Sequence, residues 1–259
     1  MNQLLSNIHP EAVIGKNVTI SPFVTIEKDV VIGDNTFIYP NVVIMNGARI
    51  GKNCRIFPGA VIAAIPQDLK FRGEETTAEI GDNTVVRECA TVNRGTAAKG
   101  RTIVGNDCLL MAYSHVAHDC LLRDFVILGN ATQLAGEVEV DDYAILSGGS
   151  LVHQFSKIGM HAMSQGGSRV SKDVPPYIIV GRDPITYSGI NIVGLRRRGF
   201  DNERISAIQE IYRILYQSGM NNKDAVKYIE ENIPNTKEKE IIVNFIANSQ
   251  RGIVRGYME

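Results

Sequence analysis

Stepping along the chain by six from Ile8 lands on an aliphatic residue at almost every stop. Ile8, Ile14, Ile20, Ile26, Ile32, Ile38, Ile44, Ile50, Ile56 and Ile62 follow without a break, and the phase continues through Val86, Leu110 and Leu134 to Ile158. Of the 26 stops from 8 to 158, 23 are Ile, Val or Leu, and the exceptions are Asp68, Glu74 and Ala98. Four residues after each aliphatic stands a small or β-branched side chain, such as Ala12, Val18, Thr36, Cys54, Ser114 or Val126. A helix would need apolar spacings of three and four, and an ordinary half-buried strand would need strict alternation over longer runs. One large and one small inward position per hexad suits a short strand followed by a tight corner. Three such hexads close a triangle of about 18 residues, and each coil pairs with the next at about 4.8 Å. Recurring Ile-Gly and Val-Gly pairs, as at Ile14-Gly15 and Ile32-Gly33, are expected at corners that need a permissive backbone.

The expected fold is therefore mainly β, a hexapeptide-repeat solenoid in the form of a parallel β-helix, with a small α-helical C-terminal domain. Residues 66–78 and 94–102 are polar, charged or glycine-bearing and read as loops inserted at corners, where solenoids tolerate insertion. After Ile158 the pattern fades through Val170, and Pro175-Pro176 closes it. From Asp201 the period changes: Ile205, Ile208, Ile211, Tyr212 and Leu215 have helical spacing, with Asp201 or Asn202 as N-cap and Gly219 as stop. Further helices are expected over about 223–232 and about 238–248. Arg196 to Phe200 reads as a joining segment. The division drawn is 1–190 for the β-helix and 191–259 for the helical domain.

Composition narrows the function classes. With a net charge of −1 there is no global attraction to nucleic acid or to a membrane, so a basic site must be local and no nucleic-acid partner is expected. No apolar run is long enough to cross a bilayer, and the polar stretch Asn2 to Asn7 does not resemble a secretory leader. Cys54, Cys89, Cys108 and Cys120 form no CxxC pair, and three of them fall on inward positions, so reduced thiols and a cytoplasmic location are expected. No GxGxxG, GxxxxGK[ST] or GxSxG is present, which argues against dinucleotide enzymes, P-loop enzymes and α/β-hydrolases. No cofactor is expected.

Five histidines occur, and His9 and His161 read as structural or superficial. His115, His118 and His153 are the candidates for chemistry. His118 precedes Asp119, a carboxylate able to fix the imidazole tautomer and raise its basicity. With no interrupting loop between Val104 and Ile158, three hexads should equal one coil. Glu137 then falls about one coil beyond His118 and His153 about two, within about 10 Å along the axis. Gly136 lies one coil on, where its N–H could meet a reacting carbonyl as an oxyanion donor. Histidines at solenoid corners can equally be solvated spacers. Zinc is not expected, because His115 and His118 differ by three on an extended chain and should point to different sides. Asp68 and Lys70 stand in the first loop, and Arg196, Arg197 and Arg198 could grip a pyrophosphate or serve as a charged linker.

The whole chain resembles the UDP-N-acetylglucosamine O-acyltransferases that begin lipid A biosynthesis. The resemblance rests on PQDLKF (66–71), HVAHDC (115–120), LVHQF (151–155), DVPPY (173–177), GINIVGLRRRGF (189–200) and the helical tail. It implies a left-handed β-helix, a homotrimer with sites between neighbours, and transfer of a 3-hydroxyacyl chain from acyl carrier protein to the sugar 3-hydroxyl. It further implies His118 as general base, Asp119 as its orienting partner and Gly136 as oxyanion donor. His115, His153, Gln154, Asp68 and Lys70 would contact the sugar nucleotide, and Asn191, Arg197 and Arg198 the uridine diphosphate. Gly166 matches the position that limits acyl length, and a glycine there implies a long chain. Glu137 and Val193 depart from the family's usual histidine and glutamate. Two alternatives stand beside this reading. One is the N-acyltransferase of the same superfamily, which carries an extra N-terminal domain for which hexads beginning at Ile8 leave no room. The other is a non-catalytic β-helix scaffold.

Overall fold

In the computed structural model, which describes residues 5–256, each solenoid hexad folds as a strand of two to four residues and a corner. Residues 2–4 of the polar N-terminal stretch lie outside the described residues. Strands pair in parallel three hexads apart, as Thr25 with Val43 and His115 with Gln133. The result is a three-sided left-handed parallel β-helix. Its first sheet has nine strands, from Asn7–Ile8 to Arg169–Val170, and its second has eight, from Val13–Ile14 to Lys157–Ile158. The third has ten, from Thr19–Ile20 to Thr186–Ile190. The aliphatic stops fill the interior: Ile26, Ile62, Leu110 and Leu134 are fully buried, and Cys54, Cys108 and Cys120 are buried among them. Burying each such aliphatic contributes on the order of 1.5–3 kcal/mol.

The corners are built differently from the expectation. Gly15, Gly33 and Gly51 do not have the left-handed backbone; they sit where the next coil's main chain passes, and a Cβ on Gly33 would stand 2.6 Å from the carbonyl carbon of Gly51. The left-handed positions are taken by residues such as Asn17, Asn35, Asn53 and Asn83, with φ of 56–59°. Asparagine accepts that region more readily than most residues. Here it also stacks, since Asn17 Nδ2 donates to Asn35 Oδ1 at 3.2 Å.

The two pattern-breaking segments are insertions of whole hexads. Val61 pairs with Thr91, five hexads on instead of three, and Val85 pairs with Leu109, four hexads on. Asp68, Glu74 and Ala98 therefore lie outside the strands, and the phase survives because each insertion is a whole number of hexads.

The solenoid also continues past the expected closure. Strands Met163–Ser164 and Arg169–Val170 lie where the pattern was expected to fade, and beyond Pro175-Pro176 the chain adds Ile178–Gly181 to the third sheet and folds back antiparallel as Thr186–Ile190. Four helices follow: α1 (Ile192–Arg197), α2 (Asn202–Gln217), α3 (Asn222–Asn232) and α4 (Lys237–Ala247). The first starts ahead of the segment read as a plain joint and takes in its Arg196 and Arg197; Asn191 caps it, its side chain accepting from the Gly194 N–H. Asp201 caps α2 in the same way through the Arg204 N–H at 2.8 Å. The α2 face Ile205, Ile208, Ile211, Tyr212 and Leu215 is buried, and the Tyr212 hydroxyl donates to Pro176 O at 2.6 Å, tying the helices to the solenoid. No helix among the described residues is long and apolar enough to cross a membrane.

Candidate active site

His118 stands at the corner after the first-sheet strand His115–Val116 and is 8% exposed. Asp119, with φ of 61°, makes the sharp turn that folds two adjacent side chains onto each other. His118 Nδ1 lies 2.8 Å from Asp119 Oδ2. The carboxylate is fully buried and surrounded by donors. Oδ1 accepts from the N–H groups of Thr96 (2.9 Å) and Lys99 (3.3 Å), and Oδ2 accepts from the Thr96 hydroxyl (2.6 Å). The Asp119 N–H in turn donates to Thr102 Oγ1 at 2.8 Å. A carboxylate so placed is an acceptor throughout, so Nδ1 of His118 is the donor and Nε2 carries the free lone pair. Asp68 Oδ2 lies 3.9 Å from that Nε2.

One coil on, the Glu137 N–H donates to His118 O at 3.0 Å, which sets Gly136 directly against the imidazole. A Cβ on Gly136 would stand 2.5 Å from His118 Cε1 and 2.6 Å from Nε2, so the ring occupies the space a side chain would need. Among the described residues the Gly136 N–H has no acceptor, and it remains available as a donor.

A cleft of about 570 Å³ gathers Gln67, His115, His118, Gly136, His153 and Gln154. The expectation that His115 and His118 point to different sides fails, because the corner between them swings His118 round to the cleft that His115 faces. His115 Nδ1 is 2.7 Å from Thr91 Oγ1, and burial, then the neighbouring His118, push its pKa down, so it stands neutral. His153 is exposed and donates from Nδ1 to Gln154 O at 3.0 Å. Glu137 lies at the same corner, half-buried. A larger groove of about 730 Å³ runs along the second sheet past Arg49, Glu79 and Arg123, and no histidine lines it.

Several expected site residues lie elsewhere in the chain. Lys70 is exposed in its loop, where its N–H donates to Asp68 Oδ1 at 2.9 Å. Gly166 is exposed at the corner between the third and first sheets, across the first sheet from the His118 corner. Asn191 is buried: besides capping α1, its Nδ2 donates to His161 O at 2.9 Å. Arg197 is exposed, and Arg198 lies over the Tyr143 ring, 5.0 Å from its centroid. Tyr143 belongs to the corner between the second and third sheets, a full face of roughly 15–20 Å from His118.

Other cleft and support residues escaped the sequence reading. Gln133 and Arg169 line the cleft, and both lie on the coil-by-coil ladder that begins at His115, which would have found them. Thr96 and Thr102 sit in or beside an insertion, where the ladder offers no guide.

Comparison with known proteins gives the following. A model of UDP-N-acetylglucosamine O-acyltransferase, domain 2, matches residues 173–254, and a bacterial transferase hexapeptide model (six repeats) matches residues 29–64. The acyl-[acyl-carrier-protein]–UDP-N-acetylglucosamine O-acyltransferase of Verminephrobacter eiseniae is 43% identical over 263 residues, covering 97% of this chain and 100% of that one. Its counterpart in Stenotrophomonas maltophilia strain R551-3 is 45% identical over 196 residues, 75% and 74% of the two chains. Among solved structures, the UDP-N-acetylglucosamine acyltransferase of Bacteroides fragilis superposes with a TM-score of 0.97 at 61% identity, covering 98% and 100%. That of Francisella novicida gives 0.94 at 44%, covering 97% and 92%.

Proposed function

The chain belongs to the acyl-[acyl-carrier-protein]–UDP-N-acetylglucosamine O-acyltransferase family; on that premise we propose that it transfers a long-chain (R)-3-hydroxyacyl group to the sugar 3-hydroxyl of UDP-N-acetylglucosamine, with His118 as general base. The observation that carries the reading is the His118–Asp119 pair, which leaves Nε2 free inside a cleft. Nε2 takes the proton of the 3-hydroxyl as the oxygen attacks the thioester carbonyl carbon. The C–O bond forms, and the carbonyl electrons move onto an oxyanion that faces the Gly136 N–H. The C–S bond then breaks, and the carrier's thiolate leaves with the proton held at Nε2. Asp119 stabilises the imidazolium between the two transfers. His115, His153, Gln154, Asp68 and Lys70 contact the sugar nucleotide in this reading.

Asn191, Arg197 and Arg198 hold the uridine diphosphate, but from another corner of the prism, so each site takes them from a second copy of the chain. A homotrimer follows, as closed rings need such repeated contacts. A cytoplasmic location belongs to the proposal and accords with four free thiols among the described residues. The test is His118→Ala, assayed with 3-hydroxyacyl carrier protein and UDP-N-acetylglucosamine by mass spectrometry. A loss in kcat on the order of a hundredfold or more is expected. A near wild-type rate would refute His118 as the base.

A further inference from the structure

The insertion at 94–102 closes over Asp119, and its tightest contact is Thr96. This residue is 7% exposed and meets the carboxylate through both its N–H and its hydroxyl. The hydroxyl is oriented, since it accepts from the Ala98 N–H at 3.2 Å and so turns its proton to Asp119 Oδ2. The loop that carries it is itself anchored: the Thr76 hydroxyl donates to Gly95 O at 2.6 Å, and the Gly100 N–H to Thr96 O at 2.7 Å. The hydroxyl of Thr96 and Nδ1 of His118 therefore converge on one oxygen, at 2.6 and 2.8 Å. Negative charge drawn towards one donor is withdrawn from the other.

We propose that Thr96 is a positioning residue whose N–H holds the Asp119 carboxylate in place and whose hydroxyl, sharing Asp119 Oδ2 with His118, draws charge away from Nδ1 and so limits the basicity of the imidazole. Its mechanistic meaning rests on His118 being the general base. Removing the hydroxyl while keeping the Thr96 N–H leaves Asp119 in place with more charge for Nδ1, which stabilises the imidazolium and raises the His118 pKa. A loosened carboxylate does the reverse, because the imidazolium then loses its partner. The sign of the shift separates the two. The other groups facing His118 are unchanged by the substitution: Asp68 at 3.9 Å, His115, Glu137 at the same corner, and His153 and Arg169 along the cleft. The Lys99 ammonium is turned to Glu139 at 3.6 Å.

The experiment compares Thr96→Val, Thr96→Ala and Thr96→Ser with the unaltered enzyme, through the pH profile of kcat/KM and NMR titration of the His118 imidazole. The Val and Ala enzymes are expected to show the acidic limb and the His118 titration displaced upward by on the order of half a pH unit. KM for UDP-N-acetylglucosamine should stay unchanged, and Ser should restore both curves. An unmoved or downward titration overturns the proposal. So does loss of the fold in both Val and Ala, which would make Thr96 a residue of the scaffold alone. The NMR titration reads the Thr96 effect whether or not His118 is the base, whereas a fully active His118→Ala enzyme would remove the base and leave the titration result standing.

Discussion

Gly136 is open to a perturbation that separates two roles usually merged in one residue. Replacing it with alanine keeps the N–H proposed as oxyanion donor and adds one methyl group. Its backbone is outside the left-handed region, so the alanine itself is not strained. The methyl would stand 2.5 Å from His118 Cε1, whereas carbon atoms rest at roughly 3.5–4.0 Å. The ring must retreat by about 1 Å, since Gly136 is held by its coil: the Phe155 N–H donates to its carbonyl and the next N–H, that of Glu137, donates to His118 O. Asp119 cannot follow the ring, because Thr96 and Lys99 fix it. The 2.8 Å bond to Nδ1 is therefore lengthened or bent, and Nε2 leaves its place in the cleft. A misplacement of about 1 Å costs on the order of a hundredfold in rate. Gly136→Ala is thus expected to lose about two orders of magnitude in kcat/KM for acyl transfer to UDP-N-acetylglucosamine, with the melting temperature little changed. A folded Gly136→Ala enzyme within about threefold of the wild-type rate would refute the steric argument and leave Gly136 with its N–H as its only function.

Three further outcomes are expected. A Cβ at Gly166 would meet only Gly148 O, at 3.4 Å, so Gly166→Met should fold normally. If the acyl chain ends there, blocking three methylenes removes about 2.4 kcal/mol, roughly 60-fold, from long against short chains; an unchanged kcat/KM ratio across a ladder of acyl carrier proteins would rule it out. Mixing His118→Ala with Arg198→Ala chains should restore part of the activity each lacks alone, because one mixed site then has both residues; light scattering showing a monomer, or no restoration after exchange, counts against shared sites. His161, stacked between Tyr143 and Tyr177, has its pKa pushed down to about 4 by burial first and then by the Arg198 and Arg204 cations. The unfolded chain binds this proton near pH 6.5 and the folded one only near 4, so stability falls as pH drops through that window, by up to about 3 kcal/mol. Urea midpoints should show this slope and His161→Phe should flatten it; equal slopes would place the loss elsewhere.

The parallel β-helix was legible because its signal is periodic: ten isoleucines at intervals of six constrain the backbone more tightly than any local propensity. The coil of three hexads carried over to three dimensions, and it brought His118, Gly136, His153 and Gln154 to one cleft although they are far apart in sequence. The α2 cap and stop, Asp201 and Gly219, were readable for the same reason, since each acts through its own residue type. Other features belonged to the tertiary structure alone. Helix α1 and the Thr186–Ile190 return strand have no repeat behind them and depend on contacts such as Asn191 with His161. The Ile-Gly corners were assigned to backbone freedom, but only the stacked coils reveal that those glycines make room for a neighbouring main chain. Thr96 reaches Asp119 from inside an insertion, where counting residues says nothing of where a side chain lands. The sequence repeat determined which positions face inward and which coil each residue joins, because burial acts on every hexad alike. The folded chain decided which hydrogen bonds surround the imidazole, because those depend on loops whose course is set by packing rather than by period.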